Sequence, residues 1–89
     1  MFVVVEHKIT DPDAFFALAA RVGEAPSGIK GLQFFPSIGK DRAICLWQVN
    51  SIEALKGFLE PLSAQSSHNT YYQVDSTKAM GLPTVASAT

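Results

Sequence analysis

The chain reads as one small α+β domain of βαββαβ order. Three observations predict this: its size, the alternation of β-branched runs with capped amphipathic segments, and the repetition of a strand, helix, strand unit. At 89 residues it falls below the usual domain size of about 100 to 150, so one core and no second domain is expected. A domain this small buries only about 60% of the surface of its unfolded chain and is marginal without a disulfide, a metal or a partner subunit. Cys45 is the single cysteine and has nothing to pair with inside the chain, which leaves a partner chain or a metal.

The first strand is Phe2-Val3-Val4-Val5-Glu6-His7-Lys8-Ile9, β-branched at its start and alternating at its end. Thr10-Asp11-Pro12-Asp13 then supplies helix-start chemistry. Asp11 can cap free amides, Pro12 suits the first helical position and Asp13 complements the positive helix end. Phe15, Leu18, Ala19 and Val22 follow at helical spacing, with Gly23 as the stop. Ala25 to Gly28 is a loop, Gly31 a further break, and Leu32 to Ile38 the second strand. Pro36 cannot donate to a ladder, so this strand is expected at a sheet edge or with a bulge at that point.

Gly39-Lys40-Asp41 turns the chain into Arg42 to Val49, apolar on both parities as a central strand requires. Asn50 or Ser51 caps the second helix and Glu53 lies in its first turn, ahead of the stripe Leu55, Phe58, Leu59 and Leu62. Pro61 falls within that stripe and predicts a kink or break near Glu60. Ser63 to Asn69 reads as a polar loop, Thr70 to Val74 as a short fourth strand, and Ser76 to Met80 as one helical turn. The domain is expected to span residues 1–80, with 81–89 a flexible C-terminal tail.

This order is ferredoxin-like. Two right-handed βαβ crossovers place both helices on one face of a four-stranded antiparallel sheet. The other face then needs a cover, which predicts a homodimer whose sheets pack face to face or close into a barrel.

The chain is 47% hydrophobic and 17% charged, and its basic and acidic residues nearly balance. No basic cluster occurs, so nucleic acid is set aside as a partner. The apolar runs Phe2 to Val5 and Ala14 to Ala20 are too short to span a bilayer, and the N-terminus lacks a signal-peptide pattern. No membrane partner and a cytoplasmic, reducing location are the expectation.

His7, Cys45 and His68 are the candidate metal ligands, because imidazole and thiolate suit borderline and soft transition metals. Their spacing matches no local motif. The first and third strands are sheet neighbours in this order, so His7 and Cys45 can face each other if their parities agree. A lone Cys in a strand also serves as a small hydrophobe. Trp47 shares a face with Ala43, Cys45 and Val49, and one of Tyr71 and Tyr72 can add a phenol to the same space. That set can line a pocket for a small apolar ligand, or can be ordinary core and interface. Glu6 and Lys8 share a face and alternate with His7, so they can form an acid/base pair in a cleft, with Glu6 a further ligand contact, or can be surface charges at a strand end. Cys45 with a histidine base is a conceivable nucleophile, although an apolar strand raises a thiol's pKa. No phosphate loop or cofactor fingerprint occurs.

The run Asp41 to Val49, the helix opening Ser51-Ile52-Glu53-Ala54-Leu55, and His68 before a Tyr-containing strand resemble small bacterial ferredoxin-like proteins, one branch of which binds nickel. The resemblance implies a homodimeric α+β sandwich or barrel with His7 and His68 as metal or ligand contacts and Cys45 as the strand-three cysteine. More broadly, the chain resembles dimeric α+β barrel proteins, which include cofactor-independent monooxygenases and haem-degrading enzymes. Some of these use an Asn, a Trp and a His, types that Asn69, Trp47 and His68 supply here. The second-helix histidine of that group has no counterpart between Ile52 and Leu62. Three functions therefore stand side by side: a small-ligand or metal-binding protein, a cofactor-independent monooxygenase or isomerase, and a structural domain without chemistry.

Overall fold

The computed structural model describes residues 1–21 and 24–83. Strand β1 (Phe2–Ile9), helix α1 (Pro12–Ala19), β2 (Ile29–Pro36), β3 (Arg42–Val49), α2 (Ile52–Ser63) and β4 (Ser67–Gln73) follow in that order. The strands form one four-stranded sheet, β2-β3-β1-β4, in which every neighbouring pair is antiparallel. This is the ferredoxin-like fold.

Strand parity decides which side chains meet the helices. On β1, Val3, Val5, His7 and Ile9 are buried while Glu6 and Lys8 face outward. On β3 the same inward face carries Ala43, Cys45, Trp47 and Val49. Leu55 of α2 is fully buried against Val3, Val5, Cys45, Trp47 and Val49, and Phe15 of α1 packs with Ile9 and Ala43. Both helices therefore cover one face.

Asp11 caps α1 by accepting from the Ala14 N–H at 3.2 Å, with Pro12 in the first helical position. The expected continuation through Val22 to a stop at Gly23 lies outside the described residues; α1 itself ends at Ala19. Ser51, rather than Asn50, caps α2 by accepting from Ala54 N–H at 3.1 Å.

Three expectations require correction. Strand β2 begins at Ile29, before Leu32, and ends at Pro36, so Ile38 lies in the turn and is fully exposed. It is an edge strand, but its irregularity falls between Gly31 and Gln33, where Leu32 is the extra residue; Pro36 merely closes the ladder. Helix α2 does not break near Glu60 and runs unbroken through Pro61 to Ser63. Pro61 sits in the last turn on the exposed side, where the unpaired carbonyl of exposed Gly57 costs little and the buried stripe continues on the other side. Strand β4 begins at Ser67, not Thr70, because Ser67, His68 and Asn69 continue the ladder opposite Ile9, Lys8 and His7 despite poor β propensity.

Beyond β4 the Val74 N–H donates to Phe2 O at 2.8 Å, and Asp75 opens one helical turn by accepting from Lys78 and Ala79 N–H. This segment lies against the outer face. Val74, Ala79 and Leu82 share a cleft with Val4 and Leu46, and Leu46 is only 7% exposed although it points away from the helices. Leu82 and Pro83, at the start of the expected tail, are half-buried, and the rest of it, 84–89, lies outside the described residues. No described helix is long and apolar enough to cross a membrane.

Candidate functional site

The centre of the sheet pairs β1 with β3 on one side and with β4 on the other. Val5 lies opposite Cys45 and Tyr71, and His7 lies opposite Ala43 and Asn69. His7, Cys45, Asn69 and Tyr71 thus project from three adjacent strands toward α2. The His7 Nε2 atom is 3.1 Å from Cys45 Sγ, and its Nδ1 is 2.6 Å from Asn69 Oδ1. The imidazole edge also packs on Phe15 of α1, with ring centroids 5.0 Å apart.

The direction of each bond follows from one fixed acceptor. The Asn69 amide nitrogen donates to Glu60 Oε2 at 2.8 Å and to Ser63 Oγ at 2.8 Å. An ionised carboxylate only accepts, so Asn69 must present Nδ2 to α2 and Oδ1 to β1. Oδ1 then accepts from Ser67 Oγ at 2.8 Å and from the His7 Nδ1–H. That sets the tautomer, leaving Nε2 with the lone pair that accepts the Cys45 S–H. Tyr71 completes the chain by donating its hydroxyl to Glu60 Oε2 at 2.5 Å, while Lys56 lies over the Tyr71 ring.

Electrostatics keep the inner pair neutral. Burial pushes His7 below its ordinary value of 6.5, opposed by the Asn69 bond and by the Glu60 charge. Burial pushes the Cys45 thiol up to about 12, with the Trp47 indole pulling the other way. The Tyr71 hydroxyl and the Asn69 amide hold Glu60 below the usual carboxylate range, and burial followed by the Glu60 bond raises Tyr71. A thiol and an imidazole therefore sit uncharged in contact, with an anion two side chains away.

These groups edge a cavity of about 310 Å³ between the sheet and the helices. Its walls are largely apolar: Leu18 of α1, Leu32 and Phe34 of β2, and Phe58, Leu59 and Leu62 of α2, with His7, Cys45 and Trp47 at its base. Trp47 is 2% exposed, and its Nε1 is the one buried side-chain nitrogen or oxygen among the described residues without a hydrogen-bond partner. It is near enough to the Cys45 sulfur to influence it, yet makes no hydrogen bond to it.

Of the expected site residues, His7, Cys45, Trp47 and Tyr71 share the inner face. Glu6, His68 and Tyr72 are all exposed on the opposite face, where Lys8 pairs with His68 and Val4 with Tyr72. His68 therefore does not join His7 and Cys45, and among the described residues no three His, Cys, Asp or Glu side chains lie close enough to share a metal ion. Asn69, which the resemblance offers only as a residue type, and Glu60 and Ser63, which local chemistry assigns to a helix break and a loop, together orient His7. No family model matches the chain, and neither a curated protein nor a solved structure matches it.

Proposed function

We propose that the protein binds a small, mostly apolar molecule between its sheet and helices, with the Cys45–His7 pair as the polar end of the site. The observation that carries this reading is an apolar cavity of about 310 Å³ whose base holds a buried, oriented imidazole and thiol. Ligand sites combine apolar walls with a few fixed polar groups at about this size. An imidazole held by Asn69 and Glu60 is pre-oriented, so its ordering is not charged against ligand affinity. Trp47 is the only tryptophan and lines the cavity, so it serves as an internal reporter. Titrating medium-chain alkylphenols should change its emission saturably. An Ala19→Phe variant, which adds a ring at the cavity wall, should lose that response while keeping its circular dichroism. No saturable response from the unaltered chain, or an equal one from the variant, ends the proposal.

We further propose a homodimer formed through the outer face of the sheet. Phe35, Ile44 and Tyr72 point outward from three strands with 62%, 46% and 48% of their surface exposed, beside the segment that covers Leu46. Apolar surface gathered in this way on a small domain marks an interaction site. Sedimentation equilibrium should give twice the chain mass for the protein and the single-chain mass for Phe35→Glu. A monomer at all concentrations overturns the proposal.

A further inference from the structure

Three independent features meet at Cys45. The thiol touches a histidine whose other nitrogen is held by an Asn–Glu pair, the order of parts by which a buried base activates a nucleophile. The Trp47 indole N–H, almost fully buried beside the sulfur, has no partner. The cavity that the thiol faces has largely apolar walls, with Arg21 and Gln33 as further lining residues, and its volume of about 310 Å³ suits an acyl chain. A thiol serving only as core packing needs neither an oriented base nor a neighbouring unspent donor.

We infer that Cys45 is an acyl-accepting nucleophile, with His7 as its base, Asn69 as a positioning residue and esters or thioesters of apolar carboxylic acids as the substrate class. This rests on the cavity being a ligand site. In the acylation step the sulfur attacks the carbonyl carbon while the S–H proton passes to His7 Nε2. The tetrahedral adduct collapses with loss of the alcohol or thiol, which leaves carrying that proton. Water then adds to the acyl carbon and gives a proton to Nε2; the carbon–sulfur bond breaks, the carboxylic acid departs and the sulfur recovers its proton. The sum is hydrolysis of the ester.

The resting pair is neutral because burial disfavours the ions on both partners, so proton transfer belongs to the attack itself. As charge separates, the imidazolium gains from Glu60 through Asn69 and the sulfur gains from the indole N–H. Reactivity is therefore expected to rise with how well the apolar part of the reagent fills the cavity.

The experiment exposes the protein to 4-nitrophenyl esters from acetate to octanoate, following nitrophenolate release and intact mass, with alkylphenol titration of Trp47 emission in parallel. An acyl adduct confined to Cys45 is expected, forming at least about tenfold faster with the octanoate than with the acetate after correction for their intrinsic reactivity. His7→Gln should slow it by at least about a hundredfold, the ordinary worth of a positioned base. Asn69→Ala should shift the pH of half-maximal acylation as well as the rate. Cys45→Ala should form no adduct, and Cys45→Ser provides a second nucleophile-altered variant if the alanine protein fails to fold. Saturable alkylphenol binding without any Cys45 adduct overturns this inference and leaves the binding site standing. Absence of both overturns both readings. An adduct that forms equally fast in His7→Gln overturns the activated thiol.

Discussion

The two faces of the sheet carry chemically similar side chains and put them to different use. Each has a histidine, a tyrosine and a carboxylate within reach: His7, Tyr71 and Glu60 inside, His68, Tyr72 and Glu6 outside. Inside, β1, β4 and α2 bring the three into one hydrogen-bonded chain, His7 through Asn69 to Glu60 and Tyr71 directly to Glu60, and every bond direction follows from the Glu60 carboxylate. Outside, the short turn after β4 reaches Val4 and Leu46, while His68 and Glu6 stay exposed. Residue type alone does not make a site; an opposing layer that removes water and supplies a fixed acceptor does.

The sharpest way to break this contrast is to remove the amide that joins the inner groups. Asn69→Leu keeps the size but strands the His7 Nδ1–H and the Ser67 hydroxyl, while Ser63 still donates to Leu59 O, so a loss of about 1–3 kcal/mol is expected from urea unfolding. The same change at the outward neighbour, Thr70→Leu, should cost far less. Equal losses at the two positions would mean that the inner network contributes no more than the outer surface.

A second measure uses protons. His7 has its folded value lowered by burial, so the unfolded chain takes up a proton before the folded one does as the pH falls. The stabilising effect is complete above about 6.5, the ordinary value. It is lost on acidification, from that value down toward the lowered folded one. The urea midpoint should therefore fall between pH 7.5 and pH 5, and His7→Gln should flatten that fall. Glu60, also lowered, contributes stability that is lost only further into acid, below its ordinary carboxylate range, which separates the two effects. A midpoint as steep in His7→Gln as in the parent would remove His7 from the account.

The smallest effect is expected outside. Ile44→Thr exchanges a half-exposed side chain for a β-branched one of good strand propensity, so monomer stability should stay within about 0.5 kcal/mol. A larger loss at low protein concentration would show that Ile44 belongs to the monomer core.

The fold was legible because its signals are local. Asp11-Pro12 and Ser51 mark helix starts by capping chemistry, and the β-branched run of β1 and the doubly apolar β3 announce central strands. The site was legible only in half. The facing of His7 and Cys45 follows from strand order and parity, both readable from the chain. Asn69 enters the sequence reading only through the resemblance, because Ser-Ser-His-Asn has loop chemistry, and what makes it a strand beside His7 is the ladder it forms with residues more than fifty positions away. Glu60 escaped because Pro61 argues for a break where the buried stripe, packed on the sheet, carries the helix through. Both misses have one cause: tertiary contacts overrode local preference where the two disagreed.

The extra residue at Leu32 sets the allegiance of everything that follows it on β2. Because two β2 residues span one step of β3 there, Phe34 falls opposite Cys45 on the inner side and Phe35 opposite Ile44 on the outer. With an unbroken register the assignment inverts: Gln33 would enter the cavity, Phe34 would join the outer patch and Phe35 would turn toward the helices. A chain without that leucine would keep both phenylalanines on their present sides, whereas one that kept it in a regular ladder would trade a wall of its pocket for part of its proposed interface, altering what it holds and what it meets in one stroke.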